Sequence, residues 1–164
     1  MGLKDRLQRQ LKSARQISEG MLKDFETPHQ WTHQVHPNAN HALWFVGHMG
    51  MTDNFFVSVI SPERARAAEG YAEKFGMGSQ PTSNPADYPP PPEVLEFMRE
   101  RRQALLDVLA GLTEEDLAKK TKEGTPEFLP DYGAVFEAAI WHEGLHTGQI
   151  SVARRSLGKA PMMG

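Results

Sequence analysis

The chain has 164 residues, a length that suits a single domain spanning 1–164. At 39% hydrophobic and 24% charged, it has the balance of an ordinary soluble globular protein with one core. The absence of cysteine excludes disulfides, thiolate zinc sites, iron–sulfur clusters and cysteine nucleophiles, and a net charge of -3 speaks against nucleic-acid partners or an anionic-membrane patch.

Seven histidines remain, so any metal chemistry must rest on imidazole and carboxylate. No apolar run approaches the ~20 residues of a membrane span, and the polar start Met1-Gly2-Leu3-Lys4 lacks the apolar region of a signal peptide. The expected setting is therefore cytoplasmic, with no membrane partner.

Leu3, Leu7, Leu11, Ala14, Ile17, Met21 and Phe25 recur at three- and four-residue steps, with Lys4, Arg9, Lys12, Glu19 and Lys23 between them. This predicts an amphipathic helix stopped near Thr27-Pro28, its Lys and Arg forming a solvated face. Residues 29–40 read as a polar connector, in which Asn38 or Asn40 can cap a second helix running to Ile60. That helix is apolar nearly all round. His41, Trp44, Phe45, Met51, Thr52, Phe55 and Val59 share the face of His48, while Leu43, Val46 and Val57 lie opposite. Such a helix belongs at the centre of a bundle or at a subunit interface.

Ser61-Pro62-Glu63 predicts the start of a short helix to Phe75. Residues 76–92, rich in Gly, Pro, Ser and Asn, predict a long loop ending in extended polyproline, either a stiff spacer or a lid over a site. Leu95, Met98, Leu105, Leu109 and Leu112 form the stripe of the next amphipathic helix, with Arg99, Glu100 and Arg101 largely off it. Thr113-Glu114-Glu115-Asp116 has the form of a capping box. Asp131 can cap a last long helix, and Gly158 is placed to end it. No stretch alternates with period two, so the fold class is all-α: a bundle of four principal helices with short extra helices and a long Pro/Gly-rich loop.

The last helix carries Trp141-His142-Glu143-Gly144-Leu145-His146-Thr147-Gly148-Gln149-Ile150. His142 and His146, one turn apart, stand about 6 Å from each other along the axis and can share one divalent ion. Val135, Ala138, Ala139, His146, Gln149 and Ala153 fall within roughly 60° of His142 on the helical wheel, which places both histidines in the middle of an inward face. Glu137 and Arg154 lie off that arc. The string H-E-x-x-H is also that of zinc metallopeptidases, with Glu143 as base. Residues 147–164 contain no Asp, Glu or His, so the downstream ligand of those enzymes is missing. The third ligand must come from upstream, and inward-facing His48 is the best candidate. His41 stands two turns earlier, about 10 Å away along the axis, and His29, His33 and His36 read as solvent-facing or loop hydrogen-bonders. Three histidines with open positions are the arrangement of a catalytic metal.

Asn40-His41-Ala42-Leu43-Trp44-Phe45-Val46-Gly47-His48 resembles the N-x-x-x-W-x-x-G-H segment of DinB-like (DinB/YfiT) proteins. His142 to Ile150 resembles their H-[DE]-x-x-H-x-G-Q-[IL] signature, and Leu112 to Leu117 resembles their turn before the final helix. The resemblance implies a four-helix bundle with a nonstandard helix order and one divalent metal, zinc or nickel, held by His48, His142 and His146. Gln149 matches a recurrent position that orients a ligand or packs the helix, and Leu145 stands where many members have a further histidine. The family is linked to thiol-dependent transfer and to hydrolysis. The implied function is thus a metal-dependent enzyme acting on a small molecule, with a low-molecular-weight thiol brought by the substrate. Glu143 could serve as a base or be a surface charge; Trp44 and Phe55 could wall a pocket or pack the core. The competing expectation is a non-catalytic, metal-stabilised bundle acting as a dimeric structural or stress-related binding protein. A homodimer is expected in either case, because the second helix is apolar on two sides.

Overall fold

The computed structural model describes residues 2–162. Four long helices form it: α1 (Leu3–Leu22), α3 (Ala42–Ile60), α5 (Pro91–Gly111) and α6 (Tyr132–Ser156). Two short helices, α2 (Pro28–Trp31) and α4 (Tyr71–Phe75), and three 3-10 turns lie between them. Among the described residues the β-structure amounts to one isolated bridge, Lys120 to Asp131. No helix there is long and apolar enough to cross a membrane. The helices close a ring in which α1 packs on α6, α6 on α3, α3 on α5 and α5 on α1. The first two long helices, α1 and α3, therefore lie diagonally across the bundle, the nonstandard order that the family resemblance implies.

The second apolar side of α3 is explained within the chain. Every residue from Ala42 to Gly50 is buried, packed among α5, α6, α4 and α2. Its all-round apolarity is thus satisfied internally and gives no argument for a second copy.

Helix ends follow local chemistry, with several departures from expectation. Helix α1 ends at Leu22, and Thr27-Pro28 starts α2 instead, in a capping box with Gln30. Neither Asn38 nor Asn40 caps α3; His41 does, its Nδ1 accepting from the Trp44 N–H at 3.0 Å. The segment predicted as a helix from Ser61 to Phe75 is helical only at Tyr71–Phe75, after a 3-10 turn at Pro62–Arg64. The interruption follows from Arg66, whose backbone N–H and C=O are both taken by the Asn54 side chain at 2.8 Å. Pro91 and Pro92 open α5 rather than extend the loop, as proline can in a first turn where no intrahelical N–H is needed. Asp131 caps α6 through Ala134 N–H at 2.9 Å. Gly158, at φ 78, ends it as expected, with Lys159 N–H on Arg154 O and Gly158 N–H on Arg155 O.

The interior is layered. One apolar cluster contains Met21, Phe45, Met49, Met98 and Ile150; the other contains Leu11, Phe56, Leu105, Phe136 and Ala139. Between them, each long helix contributes one buried charge: Arg15 from α1, Asp53 from α3, Arg102 from α5 and Glu143 from α6. Arg15 donates to Glu143 Oε1 at 2.8 Å and across the diagonal to Asp53 Oδ2 at 2.9 Å. Arg102 grips Asp53 through both oxygens at 2.9 and 3.0 Å, and its Nη2 lies 2.6 Å from Glu143 Oε2. Ser18 donates to Glu143 at 2.6 Å, and the Met98 and Leu11 carbonyls accept from Nη1 of Arg15 and of Arg102. Burial alone would lower the pKa of Arg102, but Asp53 and Glu143 together hold it above its ordinary value. The basic residues predicted to form a solvated face on α1 therefore divide, with Arg15 inside. Arg101 and Arg154, also placed off their apolar faces by periodicity, are buried too. Arg101 reaches Asn54 and the Arg64 carbonyl, and Arg154 pairs with Asp24.

Two predictions follow from burial. Removing one member of a buried ionic group strands its partners, so Asp53→Leu should cost about 3–5 kcal/mol in urea unfolding. Replacing all four charges by Met or Leu should recover much of that loss, and an additive further loss in the quadruple variant would contradict the compensated layer. The second prediction concerns His41, which is fully buried and whose imidazole is pulled down from 6.5 to about 4, chiefly by burial. The unfolded chain then takes up this proton first, so stability is complete above about pH 6.5 and is lost as pH falls toward 4. His41→Asn keeps a cap but removes the proton site, and should reduce the loss between pH 7 and 5 by on the order of 2 kcal/mol. Equal acid sensitivity in wild type and variant would sink this assignment.

Candidate metal centre

His48 comes from the middle of α3, and His142 and His146 from the middle of α6, two helices adjacent in the ring. The three offer one ligand nitrogen each within 4.8 Å of one another, forming a group that could hold a metal ion. His48 Nε2 and His142 Nε2 are 3.3 Å apart. Two nitrogens on one tetrahedral ion, at bonds of about 2.0–2.1 Å, stand ~3.3–3.4 Å apart, so this edge already has the dimension of a coordination polyhedron.

In His48 and His146 the second ring nitrogen is occupied in the way ligation requires. His48 Nδ1 lies 2.8 Å from the Phe75 carbonyl, which can only accept, so the proton sits on Nδ1 and the Nε2 lone pair is free. The Phe75 ring lies directly against α3 at Gly47, where an added Cβ would stand 2.2 Å from it. The glycine thus lets α4 approach closely enough to present that carbonyl. His146 Nδ1 is 3.0 Å from Gln149 Oε1, which also accepts from Asn40 Nδ2 at 3.0 Å. Gln149 is therefore a hydrogen-bond partner of a candidate ligand, held in turn by the residue that opens the first motif. Trp44 stacks on His48 with centroids 4.3 Å apart and planes at 16°. Burial pulls His48 down to about 4, with the Phe75 carbonyl opposing and His146 adding to the shift. His142 is likewise lowered to about 4 by burial and then by His146 and His48. His146 is lowered by burial against the opposing Gln149 bond. All three are neutral at pH 7, the form that ligates.

The histidines do not occupy the middle of the inward face of α6. The most buried line of that helix runs through Phe136, Glu143, Thr147 and Ile150, rotated by roughly a quarter turn from His142. His142 and His146 are half-buried at its edge, facing a cavity of about 610 Å³. Glu143 is neither a surface charge nor a base at this site, since it is wholly buried in the ionic layer. That removes the remaining support for a peptidase. Trp44 and Phe55 both line the cavity, Trp44 buried and Phe55 partly open. So do Gly76 to Ser79 of the long loop, where Ser79 Oγ accepts from Trp44 Nε1 at 2.8 Å. This part of the loop is a cavity wall, not merely a spacer. His33 bonds Ser156 Oγ at 2.7 Å, and His36 accepts from the Asn38 N–H, so both serve as loop hydrogen-bonders.

Sequence reasoning missed the Phe75 carbonyl, which no side-chain pattern can reveal, and Phe128 and Trp141 in the cavity wall. Trp141 had a signal, because it directly precedes His142 and its ring meets that imidazole edge-on at 5.9 Å.

An all-helical bundle with a three-histidine cluster in the wall of a cavity is thus the class of protein that fold and site define. The family model of the DinB superfamily matches residues 10–150, and the chain belongs to that superfamily. No curated protein matches it.

If Gln149 orients His146, Gln149→Ala should weaken zinc affinity by about 10–100-fold while leaving the thermal midpoint of the metal-free protein within a few degrees. A competition titration against a chromogenic chelator measures this. Unchanged affinity would reduce Gln149 to a packing contact.

Proposed function

We propose that this protein binds one divalent metal ion, zinc or nickel, through His48, His142 and His146, and that it is a metal-dependent enzyme of the thiol-dependent transferase or hydrolase type. The observation that carries the reading is the convergence of three neutral imidazoles, two with their second nitrogen engaged, beside a cavity of small-molecule size. When bound, the ion supplies Lewis acidity, lowering the pKa of a thiol or water next to it. The chain's own residues hold and orient the three imidazoles, and Trp44 shields His48 from solvent. Among the described residues no Asp or Glu lines the cavity, and Glu143 is committed to Arg15 and Arg102. That lack of a carboxylate base assigns activation of the nucleophile to the ion, which would bring bound water from about 15.7 to about 7 and deprotonate a coordinated thiol outright. With no cysteine in the chain, the thiol arrives as a low-molecular-weight cosubstrate, which suits a cytoplasmic setting.

Metal analysis is the direct test. The wild type should carry about one ion per chain, and His48→Ala or His142→Ala/His146→Ala about none. The same variants should abolish metal-dependent thiol conjugation; full metal occupancy in them would refute the ligand set. If chelation lowers the melting temperature strongly and no thiol adduct or ester is turned over, the protein is instead a metal-stabilised, non-catalytic bundle. Sedimentation of the same samples tests the homodimer expected from the sequence, to which the internally buried α3 lends no support.

A further inference from the structure

The walls of the cavity carry information about what enters it. None of the residues lining it is Asp, Glu, Lys or Arg. Its walls are Trp44, Met51, Phe55, Met77, Phe128 and Trp141, with the histidines on one side. Four of these are also among the large apolar residues that the fold leaves open to solvent: Phe55 at 42%, Met77 at 97%, Phe128 at 59% and Trp141 at 53% exposed. Large apolar side chains gathered at the rim of a concave site mark a binding surface rather than scattered exposure. Two polar side chains in the lining are already partnered: Ser79 Oγ with Trp44 and the Gly76 carbonyl, and the Asn40 amide with Gln149.

From these features we infer that the cavity takes the uncharged, apolar body of a substrate, aromatic by preference, whose reacting end points to the three histidines. The inference rests on the proposed function only for placing that reacting end. The electrostatic reason is direct. A carboxylate or phosphate on the body would lose its hydration against aromatic and thioether walls and meet no Lys or Arg side chain there. The buried cations Arg15 and Arg102 are neutralised by Asp53 and Glu143 within the bundle. Aromatic walls, by contrast, offer an aryl group both apolar burial and edge-to-face contact. In a thiol transfer, such a body belongs to the electrophilic partner, since the histidines face the position of the nucleophile.

The test compares two probes with one ring system, neutral 2-naphthamide and anionic 2-naphthalenesulfonate, titrated calorimetrically into the full-length protein. Both zinc-loaded and chelated samples are used. The amide should bind at least about tenfold more tightly than the sulfonate in both forms, and Phe55→Ser/Trp141→Ser should weaken it by about tenfold, the scale of a lost aromatic contact. Met77→Ser, at a position 97% exposed, supplies a second variant that cannot disturb the core. Equal or tighter binding of the sulfonate, absence of saturable amide binding, or indifference to both variants would overturn the inference. So would sedimentation showing that these rim substitutions dissociate a dimer that the amide does not perturb, because the rim would then be covered by a second copy. Failure of zinc binding with amide affinity intact strikes the proposed metal function alone, whereas the reverse strikes only this inference.

Discussion

The buried layer of Arg15, Asp53, Arg102 and Glu143 is the constraint around which the bundle is organised. Each long helix supplies one member, so no helix can slide or rotate without separating charges that have left water. Apolar packing alone is permissive in this respect, because leucine and methionine faces tolerate shifts in register. A two-plus, two-minus layer between two apolar clusters tolerates none. It also explains the diagonal placement of α1 and α3, since Arg15 spans that diagonal to reach Asp53.

The candidate centre inherits its geometry from this layer. Glu143 directly follows His142, and drawing the carboxylate to the bundle axis turns His142 and His146 to the flank of α6. There they face α3 and the cavity rather than the core. His48 is fixed separately, through the Phe75 carbonyl on one side and the Trp44 ring on the other. The H-E-x-x-H string has therefore divided its labour: the histidines face the cavity, and the glutamate holds the scaffold.

Much of this was legible in the sequence. The four long helices, the Asp131 cap, the Gly158 stop and the three clustered histidines all follow from periodicity, capping chemistry and spacing. What misled was charge. Arg15, Arg101, Arg154 and Glu143 are buried because each finds a partner far away in the chain, and periodicity counts a charged residue as outward whatever it meets. The wheel of α6 was turned for the same reason, as it took its inward direction from alanines and histidines rather than from Glu143. The segment from Ser61 to Phe75 failed differently: Ser61 makes no side-chain cap, Pro62 opens only a 3-10 turn, and Asn54 then captures the Arg66 backbone. The Phe75 carbonyl and the aromatic rim arise from tertiary approach, to which local pattern is blind.

The approach of His48 to His142 closes a loop of 94 residues between the second and fourth long helices. A cross-link over that span would remove on the order of 4 kcal/mol of chain entropy from the unfolded state, as a disulfide does in proteins that possess cysteine. An ion bound by these two residues would thus be a removable staple. Its removal would leave a chain that opens more often to proteases, so the lifetime of the protein would track the supply of the ion.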